Sequence, residues 1–315
     1  MLKKFLAKLG KGAATVDLQF QPRSYAVGDT IQGEVLLQGG QVDQKINKLS
    51  VHFMMKVQAP NGHSAVRQVE VISLTDAWTI TTGEKKVIPF TYTIPTTLPL
   101  SRGSVSYYFD TQLDIEGGVD RTDVDFIQVT GSQRIQAILD SMNRLGFQEK
   151  STSGKLDTYG QEFEFFPTTS YAQTIREVEL RFAEQASGVT VWMEVDCKAG
   201  FGEIEAKREF MLSVDMVSTP HRLDAELKQY IEEMMQQPES FKQPFSFKQA
   251  HGKSSSMLPG MIGGLAVGVL GGVLLSELMD GFGLDDMMGD ATEALGDMEE
   301  DFEDSFEFGD FFEED

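Results

Sequence analysis

Apolar and polar residues alternate with period two through most of the first 130 residues. In 31–37, Ile31, Val35 and Leu37 share one face, opposite Gln32 and Glu34. In 49–57, Leu49, Val51, Phe53, Met55 and Val57 alternate with Ser50, His52, Met54 and Lys56. The stretches 88–94 (Ile88, Phe90, Tyr92, Ile94) and 105–115 (Val105, Tyr107, Phe109, Leu113, Ile115) repeat the pattern. A single apolar face at this period predicts half-buried antiparallel strands. Gly39-Gly40, Pro60-Asn61-Gly62 and Gly117-Gly118 punctuate them as turns. Several such strands with no helix between them predict a β-sandwich.

The period changes once and then returns. Ile135, Ile138, Leu139, Met142 and Leu145 recur at helical spacing after Ser132, a suitable N-cap, and Gly146 ends the run. This helix places a domain boundary near 131. Alternation resumes with Val178, Leu180 and Phe182, then Val189, Val191, Met193, Val195 and Cys197, then Ile204, Ala206, Phe210, Leu212 and Val214. Cys197 therefore points to the core as a structural thiol. A second helix carries Leu223, Leu227, Tyr230, Ile231 and Met234 on one side and stops before Pro238. The expected class is all-β with short helices, divided into 1–130, 131–250, a Gly-rich segment 251–276 and an acidic tail 277–315.

Charge separates the tail from the body. The 315 residues hold 27 Lys and Arg against 49 Asp and Glu, a net charge of −22. Seventeen acids and no base lie between Glu277 and Asp315, leaving 32 acids against 27 bases elsewhere. The body is nearly neutral and the tail is a polyanion that repels itself. Phe302, Phe306, Phe308, Phe311 and Phe312 interleave the acids as candidate anchors for a partner. The acidity argues against nucleic-acid binding, which needs clustered Lys and Arg.

Before the tail, Leu258–Leu275 runs 18 residues without a charge. Gly260, Gly264, Gly268 and Gly272 would form one flat stripe on a helix, the kind that lets two helices approach closely. Three readings stand side by side: a helix packed on the body or on a second subunit, a segment in or on a membrane, and a low-complexity linker. The N-terminus lacks the apolar core of a signal peptide. Leu2, Phe5, Leu6 and Leu9 instead make one helical face flanked by Lys3, Lys4 and Lys8. It is a candidate for packing on the body or for touching a membrane surface, where so short a helix needs a second anchor.

Chemistry-bearing motifs are missing: there is no G-x-S-x-G, HExxH or GxGxxG. Gly252-Lys253-Ser254 imitates the end of a phosphate-binding loop, but Phe247 stands where its first glycine belongs. One cysteine excludes a disulfide framework and a Cys-rich zinc site. Asp110, Asp114, Glu116, Asp120, Asp123 and Asp125 crowd sixteen residues, yet their spacing does not match a calcium loop, and alternation sends most of them to a solvated face. His52 is expected at the surface. No catalytic, cofactor or metal site is expected.

Several segments resemble known proteins. Tyr25-Ala26-Val27-Gly28-Asp29-Thr30-Ile31-Gln32-Gly33-Glu34-Val35 is similar to the second-strand signature of arrestin-like sandwiches. Pro89-Phe90-Thr91-Tyr92-Thr93-Ile94-Pro95, Leu98-Pro99 and the run Val105–Ile115 resemble the strands that follow it there. Lys3-Lys4-Phe5-Leu6, Gly12-Ala13-Ala14, Asp120-Arg121-Thr122-Asp123, Ile127, Val129 and Gln161-Glu162-Phe163-Glu164-Phe165 narrow the resemblance to the sporulation stage-zero control protein M family, over about 1–235. That resemblance implies two tandem arrestin-like β-sandwiches, no catalytic residues, no cofactor and regulation through protein contacts in the bacterial cytoplasm. The Gly-Asp turn would launch a strand whose Gly33 allows close packing. Two readings of function remain open: an adaptor acting on protein partners or as a homodimer, and a scaffold held peripherally at the inner face of the cell membrane by the basic N-terminus and the Gly-rich segment.

Overall fold

The structure, a computed structural model, describes residues 12–246 apart from 59–63, 158 and 201, together with 261–262 and 265–266. The chain is all-β with short helices. Nine strands build the first half: β1 (Thr15–Phe20), β2 (Ser24–Ala26), β3 (Thr30–Gln38), β4 (Gln44–Gln58), β5 (Ser64–Thr75), β6 (Trp78–Ile80), β7 (Lys85–Thr93), β8 (Val105–Ile115) and β9 (Arg121–Thr130). They form a three-stranded sheet in the order β1-β3-β7 and a six-stranded one in the order β2-β9-β8-β4-β5, with β6 beside β4.

The alternating residues close the space between these sheets. Ile31, Val35, Ile88, Phe90 and Tyr92 from one sheet meet Leu49, Val51, Phe53, Tyr107 and Phe109 from the other, all buried. Phe53 lies 4.9 Å from Tyr92, 5.3 Å from Tyr107 and 5.1 Å from Phe109, ring centre to ring centre. Each such pair adds about 0.5–1.5 kcal/mol beyond burial of its area. The Tyr107 hydroxyl donates to the Pro99 carbonyl at 2.7 Å, so its buried polar end is satisfied. The resemblance placed Gly33 at a close approach, and a Cβ there would sit 2.4 Å from the Gln19 carbonyl oxygen of the neighbouring strand β1.

Helix α1 (Gln133–Arg144) follows; the Ser132 hydroxyl accepts from Ile135 N at 3.3 Å, and Gly146 at φ +87° stops the helix. Strands β10 (Phe147–Glu149), β11 (Lys155–Asp157), β12 (Gly160–Pro167), β13 (Ile175–Gln185), β14 (Gly188–Ala199) and β15 (Gly202–Ser213) form the second half's sheet. Its order is β10-β12-β13-β14-β15, with β11 also beside β12. A four-residue helix, α2 (Val214–Val217), and a longer one, α3 (Pro220–Gln236), complete this half. Val214, expected to end the third alternating run, opens α2 and is exposed because Ser213 caps a helix there.

Helices α1 and α3 cover one face of the sheet. They bury Ile135, Ile138, Leu139, Met142, Leu223, Leu227, Ile231 and Met234. Asp224 ties them together, accepting from Arg144 Nε at 2.9 Å and Nη2 at 2.7 Å and from the Ser141 hydroxyl. Cys197 is buried on this face, its sulfur 3.9 Å from the Met234 carbonyl oxygen, and burial raises its thiol above the ordinary range.

A buried amide links the two halves. Gln161 on β12 is fully buried; its Oε1 accepts from Leu100 N at 2.6 Å, while its Nε2 donates to the Leu100 and Gly154 carbonyls at 2.9 and 3.0 Å. Beside it the backbones nearly touch. A Cβ on Gly154 (φ +87°) would lie 2.2 Å from that of Arg102. No aliphatic side chain of similar size satisfies all three backbone groups.

Candidate interaction surface

The six-stranded sheet of the first half has one face in the core and one toward solvent. Register fixes what the outer face presents. Phe126 on β9 pairs with Tyr108 on β8, which pairs with Met54 and then Gln68 across β4 and β5. The adjacent row is Val124, Asp110, His52 and Val71. Phe126 is 74% exposed and Val124 48%, so the β9 end of these two rows is open apolar surface. The Phe126 and Tyr108 rings lie 5.8 Å apart. His52 stands on this outer face as expected, bonded to the Ser50 hydroxyl at 3.0 Å. Exposed aromatics grouped on a rigid sheet are the usual anchors of protein contacts.

The crowded carboxylates divide between the two faces of that sheet. Asp110 and Asp114 face outward, where they accept from Gln112 and Asn47 at 2.8 Å. Glu116 and Asp120 are exposed as well, so most of the six are solvated as expected, while Asp123 and Asp125 lie on the opposite face. There Asp123 accepts from Leu18 N on the margin of β1 at 2.8 Å, occupying a backbone donor that an edge would otherwise present. Burial and the neighbouring Asp123 push Asp125 up to about 7. Among the described residues no group of three or more His, Cys, Asp or Glu is placed to hold a metal ion.

A second acidic surface was not visible in the sequence. On the sheet face away from α1 and α3, Glu164, Glu179, Glu194 and Lys207 stand side by side across β12, β13, β14 and β15. Lys155 holds Glu164 at 2.6 Å and Lys207 holds Glu194 at 3.2 Å. Glu179, between them, is pushed up to about 8 by burial and by the charges of Glu162 and Glu194. Glu194 rises to about 7 and Asp196 to about 6, again chiefly through burial. Like charges directly opposite each other favour shared protons over full ionisation. Only the cross-strand register reveals this row, since its members are 15, 15 and 13 residues apart along the chain.

Phe126 and Val124 were also not singled out from sequence. The available signal was that 124–129 carries apolar residues at both parities, which gives one strand two apolar faces. The glycines at 260, 264, 268 and 272, the phenylalanines at 302, 306, 308, 311 and 312, and Lys3, Lys4 and Lys8 lie outside the described residues. Within the Gly-rich segment, Met261–Ile262 pairs antiparallel with Leu265–Ala266. Among the described residues no helix is long and apolar enough to cross a membrane.

Comparison with known proteins identifies this architecture. A family model described as SpoOM protein matches residues 2–199. The chain is 34% identical over 209 residues to the sporulation-control protein spo0M of Bacillus subtilis (strain 168), over 62% of this chain and 81% of that relative. The crystal structure of Spo0M, the sporulation control protein from Bacillus subtilis, superimposes with a TM-score of 0.60 at 28% identity, covering 70% of this chain and 99% of that one. The family match spans the first half and the second as far as β14, more than half of the chain, and the chain belongs to the SpoOM protein family.

Proposed function

We propose that this protein is a non-enzymatic cytoplasmic regulator that acts by binding other proteins through the outer face of its six-stranded sheet. The observation that carries the reading is Phe126, three-quarters exposed at one end of the outer-face row that it forms with Tyr108 and Met54 on a rigid sheet. Apolar side chains held this way gain by burial against a partner, about 25 cal/mol for each Å² removed from water. The Bacillus subtilis relative is named for control of sporulation, which supports regulation as the class of activity. The structured halves supply a rigid platform, and the phenylalanines of the acidic tail supply a second class of contact.

A photo-crosslinking residue at 126, compared with one at Val87, tests this in cells. Val87 is 56% exposed on β7, on the other sheet. Protein adducts specific to position 126 are expected, and Phe126→Ser should abolish co-purification of the same proteins while leaving the thermal midpoint unchanged. Equal adduct patterns at both positions would sink the reading. Liposome flotation of the full chain beside one ending at Gln249 distinguishes the membrane scaffold, which requires the full chain to float.

A further inference from the structure

The margins of the sheets differ in how they are protected. Strand β7 carries Lys85, Lys86 and Pro89, β15 carries Glu203, Glu205 and Lys207, and β1 has its Leu18 N–H occupied by Asp123. Charge, proline and side-chain plugs are the usual defences of an edge. Strand β5 ends the six-stranded sheet and has no proline in twelve residues. None of its residues is buried, and among the described residues no backbone–backbone bond reaches it from beyond its own sheet.

Its sequence is close to self-complementary. Written antiparallel to itself about a point between Gln68 and Val69, β5 sets Arg67 opposite Glu70, Val66 opposite Val71, Ala65 opposite Ile72 and Ser64 opposite Ser73. In a regular strand these partners would lie on opposite faces, because each pair is an odd number of residues apart. The bulge removes that obstacle. Met54 pairs with Gln68 and Phe53 with Glu70, which leaves Val69 as the extra residue. Val66 and Val71 oppose Lys56 and His52, both on the outer face of β4, so they share a face. Arg67 and Glu70 oppose Met55 and Phe53 on the inner face, so they share the other. A bulge normally blunts an edge, but in a two-fold pair bulge meets bulge and the ladder keeps its phase on both sides.

We propose that a second copy of this chain pairs antiparallel along β5, about a two-fold axis between Gln68 and Val69. The charges match across the axis and apolar residues meet on both faces. About ten residues of each copy take part, roughly 34 Å of ladder at the usual rise. The pairing joins two six-stranded sheets into one and makes the outer face that carries Phe126, Tyr108, Met54 and Val71 twice as wide. This goes beyond the proposed binding of other proteins and stands or falls separately from it.

The test uses the full chain and two independent readouts. Val66→Cys and Val71→Cys are made in separate preparations; the native Cys197 is buried and does not compete. Under mild oxidation the mixture should give a disulfide-linked dimer, while either preparation alone, or a mixture with Val87→Cys, should not. Sedimentation velocity should show a dimer whose dissociation constant rises at least tenfold in Glu70→Arg, where two arginines come face to face, and recovers in Arg67→Glu/Glu70→Arg. The cysteine variants leave both charges in place, so the two readouts do not fail together through misfolding. A monomer at every concentration, or a dimer indifferent to residues 66, 70 and 71, overturns the proposal. The second outcome would move self-association to another surface.

Discussion

Replacing Glu179 by glutamine should stabilise the protein at alkaline pH and change little under acid. Glu179 is half-buried between Glu164 and Glu194, and the cations of its row are engaged at the two ends. Its carboxyl moves from an ordinary 4.5 to about 8, first through burial and then through Glu162, Glu194, Glu177 and Asp196. A group raised on folding contributes stability that is complete below its unfolded value and is lost as pH climbs through its folded value. The window is therefore about pH 4.5–8. At about 1.4 kcal/mol for each pKa unit the loss has a ceiling near 5 kcal/mol. Partial exposure and solvent screening reduce the realised effect to about 1–2 kcal/mol. Urea unfolding followed by emission of Trp192, buried on the same sheet face, measures it. Glu179→Gln should gain about 1–2 kcal/mol over the parent at pH 8.5 and match it near pH 4. A difference that does not vary with pH, or a variant weaker at pH 8.5, would refute the shared-proton account of this row.

Other substitutions probe the framework. Gln161→Leu keeps the volume but orphans the Leu100 N–H and C=O, and should cost about 2–4 kcal/mol in urea unfolding. Gly154→Ala adds a Cβ 2.2 Å from that of Arg102 at a left-handed φ, and should lower the thermal midpoint by several degrees, with a cost of about 1–3 kcal/mol. Asp224→Ala removes the fork to Arg144 and the Ser141 bond, for about 1–2 kcal/mol at pH 7. Arg144 holds the Asp224 carboxyl below its ordinary 3.8, so that contribution should be present above this value and fade as pH falls below it in a pH series of unfolding curves.

Much of the architecture was readable from local pattern. Strand β8 begins at Val105 and ends at Ile115, as its alternation predicts, because one side of it is wholly core. Helix α1 and its Ser132 cap follow from a period of 3.6 and one hydroxyl. Strand β5 was not predicted. Its apolar residues fall at 65, 66, 69, 71, 72 and 74, and the bulge at Val69 shifts their phase, so neither face reads as continuous. The same bulge is what makes its edge self-complementary.

By itself the sequence determined the fold class, the position of the core residues, the inward aim of Cys197 and the separation of a near-neutral body from an acidic tail. These depend on periodicity and composition, which are properties of neighbouring residues. The tertiary structure alone decided which surfaces stand open. Phe126, Tyr108 and Met54 meet only because three strands pair in register, and Glu164, Glu179 and Glu194 become neighbours by the same means. Gln161 reaches Leu100 from 61 residues away. Contacts across a sheet join residues distant in the chain, and their energies depend on burial and on the charge of the opposite partner, neither of which a one-dimensional pattern records.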